Sequence, residues 1–427
     1  MSSDQRRWPL LLRRLIASDR VWIFASSMFS RISNFLCNVI LARYGGPAVL
    51  GTYSATLGTA TATVSPLVWS LSTSATLGTR GAPDEPTQRA VIAAHVYWAL
   101  LIACGSSAGF LILQAGADVG GVGAPHAALS MLIGLVVVVS MLVTAVLQAA
   151  LHGLGVYKPV ARRLIAVSVA CVLVAIPAVL ALGLAGALLT LGFQYALLPI
   201  ALAYLARPSA RERARVRAAF RAATRQLVQS LPNLAATLIA AAAYWLTMIF
   251  LVHRSHGVAG IGVQAVGTSW LTIEMMPVAA WGGLSLRVLS EARATSPAAF
   301  RSAIRRILWK DVTFTLAIAS LVFLCAAPLS SLYGMADTPL PTILRINSVT
   351  ALVMAATQAF ERSMFCAGQQ KPWLRARAIG SLCMLALAWW LVPMRLEHAA
   401  IALLCGYCTT AAICVFYLLR GRDRLAQ

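Results

Sequence analysis

Apolar residues in this chain come in long runs, and each run ends at a cluster of glycine, proline or arginine. A bilayer-crossing helix needs about 20 mostly apolar residues. Windows of that length place twelve spans, at 21–43, 49–77, 90–114, 127–151, 161–183, 186–206, 227–252, 258–287, 311–333, 341–361, 373–393 and 398–419. The pattern predicts an all-α, polytopic membrane protein. Two spans break the apolar rule in a patterned way. Arg31 lies in the middle of the first, with Asn34 and Asn38 at helical spacing beside it. The second carries serine or threonine at Thr52, Ser54, Thr56, Thr59, Thr61, Thr63 and Ser65, and again from Ser70 to Thr76.

Composition agrees with the pattern. Of 427 residues, 59% are hydrophobic and 11% charged, against about 25% charged in a soluble domain. A net charge of +22 would point to nucleic acid in a soluble protein. Here 30 of the 35 basic residues fall in alternate loops, which is the partition that orients a membrane protein. Both termini, including the N-terminal segment 1–20, are therefore expected in the cytoplasm, and no nucleic-acid partner is expected. The nine cysteines lie mostly inside apolar segments, without the spacing of disulfides or zinc ligands. Outer loops are short, and no ATP-binding loop, HExxH or nucleophile elbow is present. An enzyme is not expected, nor a cofactor or metal; the energy source is a gradient, of H+ or Na+, or the substrate's own.

The chain repeats itself. Arg43-x2-Gly46-x4-Gly51 follows the first span, and Arg254-x2-Gly257-x4-Gly262 follows the seventh. Gly155-x2-Lys158-Pro159-x2-Arg162 follows the fourth, and Gly368-x2-Lys371-Pro372-x2-Arg375 the tenth. The offsets, 211 and 213, divide the spans six plus six, with both halves in the same orientation. This gives an N-terminal half at 1–206, a basic cytoplasmic linker at 207–226 and a C-terminal half at 227–427. The linker, like 290–310, reads either as an interfacial helix on anionic lipid or as a topological anchor. Lys158, Arg162, Lys371 and Arg375 read as anchors of the inner helix ends, or as phosphate contacts at a cytoplasmic gate.

A charge at bilayer depth costs roughly 2.5–3.5 kcal/mol and normally faces a bundle interior or wet cavity. Arg31, Asn34 and Asn38 are thus candidate cavity residues. Glu274 in the eighth span is the acid placed nearest mid-bilayer; it reads as a counter-ion to Arg31 or as a protonatable coupling group. Arg345 and Asn347 in the tenth span form a second candidate anion contact, with outward snorkelling of the arginine as the alternative. The hydroxyl-rich second span suits either tight helix packing or a sugar or phosphate ligand.

The stretch MFSRISNFLCNVILARYGG with the following Gly51-Thr-Tyr53-Ser turn resembles the opening of the multidrug/oligosaccharidyl-lipid/polysaccharide (MOP) flippases, and most closely the polysaccharide branch. The resemblance implies two six-helix bundles around a central cavity that opens alternately to either side. It implies a flippase that moves an undecaprenyl-pyrophosphate-linked oligosaccharide across the bacterial cytoplasmic (inner) membrane. Arg31 would then contact pyrophosphate or an acidic sugar, and the partners would be the lipid-linked substrate, anionic membrane lipids and polysaccharide polymerase or export proteins. In the lipid II flippases the same pattern carries a second arginine and an acid where this chain has Cys37 and Asn38, and usually fourteen spans, so lipid II fits less well. A cation- or proton-coupled multidrug exporter of the same superfamily is the main alternative, and a membrane-embedded polymerase or ligase a more distant one.

Overall fold

The structure, a computed structural model, describes residues 19–117, 124–206, 213–229 and 231–420. The N-terminal segment to residue 18, the start of the basic linker (207–212), the middle of the longest outer loop (118–123) and residues from 421 lie outside the described residues. Among those described, every regular element is helical.

Six helices pack into one bundle: α1 (Asp19–Ile40), α2 (Gly46–Arg80), α3 (Glu85–Ala117), α4 (Ala124–Gly153), α5 (Tyr157–Leu182) and α6 (Leu184–Ala206). A basic helix, α7 (Arg213–Gln229), rests on α3. The second bundle holds α8 (Leu231–Leu251), α9 (Gly257–Glu274) and its continuations α10 (Met276–Ala280) and α11 (Gly282–Thr295). It is completed by α12 (Pro297–Leu324), α13 (Ala326–Leu332), α14 (Leu340–Cys366), α15 (Gln370–Leu391) and α16 (His398–Arg420).

Nine of the described helices are long and apolar enough to cross a membrane. The main helices left out are α1, α2 and α9. Their sequences give the reason: Arg31, Asn34 and Asn38 dilute α1, hydroxyls dilute α2, and glycines, Gln264, Thr268, Ser269 and Glu274 dilute α9. Where the bundles face each other, α9 meets both α1 and α2. The polar spans thus turn toward protein and leave the apolar ones to lipid, as the cost of burying polar groups in hydrocarbon demands.

The repeated motifs are repeated turns. One π-helical turn follows α1 (Leu41–Gly45) and another follows α8 (Val252–His256). Gly46 and Gly257 come next, at φ 78° and 58°, where a side chain would be strained. Gly155 and Gly368, at φ 76° and 72°, end α4 and α14 in the same way. The second glycine of the first motif pair does different work. A Cβ on Gly51 would lie 2.0 Å from the Val258 carbonyl oxygen, and one on Gly262 2.1 Å from that of Pro47. Each glycine seats its helix on the first turn of the partner helix, so α2 and α9 touch backbone to backbone at this end of the molecule.

The chain departs from expectation between 258 and 310. In place of one span over 258–287, the helix breaks at Met275 and again at Trp281, with Pro277 supplying no N–H near the first break. The segment 290–310 is helical apart from a break at Ser296. α11 runs to Thr295, Ser296 caps the next helix by accepting the Ala299 N–H at 3.1 Å, and Pro297 opens α12. Lys310 and Asp311 consequently sit mid-helix. The guanidinium of Arg362 on α14 ties this region together, donating to Asp311 Oδ2 (3.0 Å), the Val278 carbonyl (2.8 Å) and Gln358 Oε1 (3.2 Å).

Candidate functional site: a hydroxyl-lined cavity between the bundles

A cavity of about 560 Å³, partly open, lies between α2 of the first bundle and α8, α9, α15 and α16 of the second. Twelve of its 24 lining residues carry a hydroxyl, among them Ser54, Thr61 and Ser65 of α2 and Thr268, Ser269 and Thr272 of α9. Three of the second span's serines and threonines thus face a hollow, while Ser72 and Thr76 bond to α4 carbonyls and Ser74 to His95, as packing groups within the first bundle. Many lining hydroxyls return their proton to the preceding helical turn, as Thr268 does to Gln264 O and Thr272 to Thr268 O, which leaves oxygen lone pairs toward the cavity.

One lining residue is charged: Arg377. It lies seven residues, about 10 Å, into α15. Its Nη2 donates to Tyr407 Oη at 3.0 Å, and the guanidinium carbon lies 4.6 Å from that ring's centre. Counted with the basic inner loop, this arginine gave no sign of a role. Its distance beyond Pro372 was the available signal, since Lys371 and Arg375 occupy the first turns whereas Arg377 reaches past them toward Gly380 and Ser381. Gly380 lets α15 approach α16 closely, because a Cβ there would lie 2.0 Å from Thr410 Oγ1.

The seam above the cavity is held by α1. Asn38, a lining residue, donates to Ser269 Oγ at 2.9 Å. Half-buried Arg31 donates to the Thr272 carbonyl at 2.7 Å. Phe35 stands between them, edge-on to Trp270 with centroids 5.1 Å apart. Arg31 thus grips the cavity wall without lining the cavity itself. Asn34 does not share this face. A three-residue step turns it away, and it accepts a bond at 3.1 Å from Gln194 on α6, within its own bundle.

Glu274 does not pair with Arg31. It turns to the opposite side of α9, fully buried (0% exposed), where Oε1 accepts from Ser348 Oγ at 2.8 Å. Its Oε2 has no partner among the described residues, and neither do the two polar side-chain atoms of Asn347, also 0% exposed, nor Gln264 Oε1. Glu274 and Ser348 meet across α9 and α14 beside the break at Met275. Gly267 makes the approach, since its Cβ would meet Asn347 Nδ2 at 2.9 Å. Asn347 therefore faces Gly267, seven residues before Glu274 on α9, and does not line the cavity. Arg345 lies outside both: it is exposed, with its guanidinium 5.9 Å from the Phe323 ring. Lys158, Arg162, Lys371 and Arg375 occupy equivalent first turns of α5 and α15 at the basic end, Arg162 over the Trp22 ring at 5.3 Å; none lines the cavity.

No family model matches the chain, and no curated protein matches it in sequence. Solved structures do match its fold. An inward-facing multidrug resistance transporter of the MATE family, in the MOP superfamily, aligns with TM-score 0.70 over 96% of this chain and 98% of its own, at 14% identity. A eukaryotic MATE transporter aligns at 0.66 over 97% and 99%, also at 14% identity. A MOP superfamily transporter from Pyrococcus furiosus, whose description reports reverse polarity of its binding pocket, aligns at 0.64 over 96% of each chain, again at 14%. The chain has the multi-pass, two-bundle fold of these transporters. At such identity the likeness extends to the fold and not to cargo.

Proposed function

We propose that the chain is an alternating-access carrier of an anionic, hydroxyl-rich solute, and that a pyrophosphate-linked oligosaccharide on a polyprenol lipid is the substrate class that fits best. The observation that carries this reading is Arg377: one guanidinium in a cavity half of whose lining residues carry a hydroxyl. Its fixed charge favours an anion, and the surrounding oxygens and hydroxyls match a sugar's donors and acceptors. The setting that goes with this cargo is a bacterial cytoplasmic membrane with both chain ends in the cytoplasm and the cavity facing that side. Polymerase or export proteins would take the product. A hydrogen bond to a charged group contributes about 1.5–3 kcal/mol. Replacing Arg377 by Ala should accordingly lower surface-polymer complementation, or flipping of a fluorescent lipid-linked glycan in proteoliposomes, roughly 10- to 100-fold. Replacement by Lys should recover part of it. Undiminished flipping by the Ala variant, with the protein normally inserted, would remove the anionic-cargo reading.

A multidrug exporter is the second reading, favoured by the MATE descriptions of the structural neighbours. A cationic drug would meet Arg377 at a cost of about 1–4 kcal/mol for charges 4 Å apart. Export of organic cations that rises when Arg377 is removed would support the exporter over the flippase.

Glu274 is the coupling group in either reading. It is buried next to a helix break, with one oxygen bonded by Ser348 and the other unused, which suits reversible binding of a proton or a monovalent cation. Glu274→Gln should leave substrate binding intact and make net transport insensitive to an imposed H+ or Na+ gradient. Flux in the Gln variant that still follows the gradient would exclude it.

A further inference from the structure

The basic helix α7 is too polar to span a membrane, yet it is not a loose linker. Its apolar side packs on the first bundle: Phe220 stacks on Trp98 with centroids 4.6 Å apart and rings 7° from parallel, and Ala223 is buried. Its other side carries Arg217, Arg221 and Arg225, one turn apart and all exposed, with no acid paired to any of them among the described residues. Arg215 differs, since Asp84 lies 3.4 Å from it.

Beside this arginine row runs a groove of about 720 Å³. Its floor is one stripe of α3, namely Tyr97, Leu100, Leu101 and Cys104 at i, i+3, i+4 and i+7, and its α7 wall includes Phe220 and Arg217. The 33 residues of α3 extend about 50 Å, some 20 Å more than the hydrocarbon core. With that surplus at the basic end, Tyr97 and Trp98 fall at the membrane interface, the level at which such rings settle. Acyl chains lie on one side of that level and phosphates on the other.

We infer that the α3–α7 groove seats one anionic phospholipid of the surrounding leaflet, its acyl chain along the Tyr97–Cys104 stripe and its phosphate on the Arg217–Arg221–Arg225 row. An apolar floor under a cationic rim matches that amphiphile and no soluble anion. A zwitterionic lipid would fill the groove without answering the unpaired charge. The site lies apart from the central cavity, so it does not depend on which cargo the carrier moves.

The test is native mass spectrometry of the full-length chain after detergent exchange, with added phosphatidylglycerol or phosphatidylcholine. Wild-type protein should retain phosphatidylglycerol in preference to phosphatidylcholine. Arg217→Gln with Arg221→Gln and Arg225→Gln should lower that retention roughly tenfold, and Leu101→Trp, which fills the groove and keeps every charge, should lower it comparably. Size-exclusion profiles and melting temperatures identify variants that fail to fold; the single change Arg221→Gln, with a smaller loss, then replaces the triple. Equal retention of the two lipids overturns the inference. So does full retention in the Leu101→Trp protein, which would mean diffuse surface attraction. Arginine-dependent binding of an acidic protein in place of lipid would assign the row to a protein partner and overturn it equally.

Discussion

The contact between the two bundles has two unlike ends. Where α2 and α9 begin, the helices meet through Gly51 and Gly262, carbonyl against glycine, with no room for a methyl group. Further along the same helices, toward the arginine-rich end, Ser54, Thr61, Ser65, Thr268 and Thr272 stand back from one another and leave the cavity. Both stretches consist of small residues. Glycine removes the side chain and lets backbones touch, whereas serine and threonine keep a short polar arm that holds helices apart and hydrates the gap. Small residues in a membrane helix are thus not one signal but two. Closure at one end with a hollow at the other is also the asymmetry a carrier must reverse to move its load.

The firmest way to break this contrast is to put a side chain where none fits. Gly262→Ala should part α2 from α9, abolish transport, and expose a cysteine introduced at Ser269 to an impermeant maleimide added from that side. Unaltered labelling would show that the glycine contact is not what closes this end. A smaller effect tests the frame behind the moving helix. Asp311→Asn leaves the Arg362 guanidinium buried without its counter-charge, which typically costs about 3–5 kcal/mol. The melting temperature should fall, and the double change Asp311→Leu with Arg362→Met should restore much of it; a double variant as weak as the single would point to geometry rather than charge. Smallest in stability, Arg31→Ala removes the bond to the Thr272 carbonyl, worth about 1.5–3 kcal/mol at most. It should leave insertion intact and change the rate of substrate movement more than its affinity. A change in affinity alone would make Arg31 a binding group rather than a latch.

Much of the fold was legible in the sequence because lipid imposes simple rules. The all-helical layout, most of the span positions and the repeated glycine turns survive in the structure, since they follow from bilayer thickness or from a positive φ. The site was legible in part. Polar groups in an apolar run stand out, which singled out Arg31 and Asn38; Asn38 lines the cavity, whereas Arg31 bonds its wall from outside. Arg377 and Arg362 were missed for the converse reason: near a helix end a charge looks topogenic, and composition does not tell a guanidinium reaching into a cavity from one reaching into water. Asp311 was hidden likewise, since the break at Ser296 was not read and the helix was started too late. The pairing first drawn between Arg31 and Glu274 failed on direction. The two lie at similar depth, but Glu274 leaves α9 toward Ser348, and depth carries no information about azimuth.

The reciprocal seating of Gly51 on Val258 and Gly262 on Pro47 says something about origin. Residues 211 positions apart present the same surface to one another, as the two subunits of a symmetric dimer do. A six-helix ancestor with this turn would have met its own copy through that glycine before the genes were joined. The two halves differ in polar inventory: the arginine row belongs to the segment that joins them, while, among the described residues, the buried carboxylates Glu274 and Asp311 and the cavity's guanidinium belong to the second half alone.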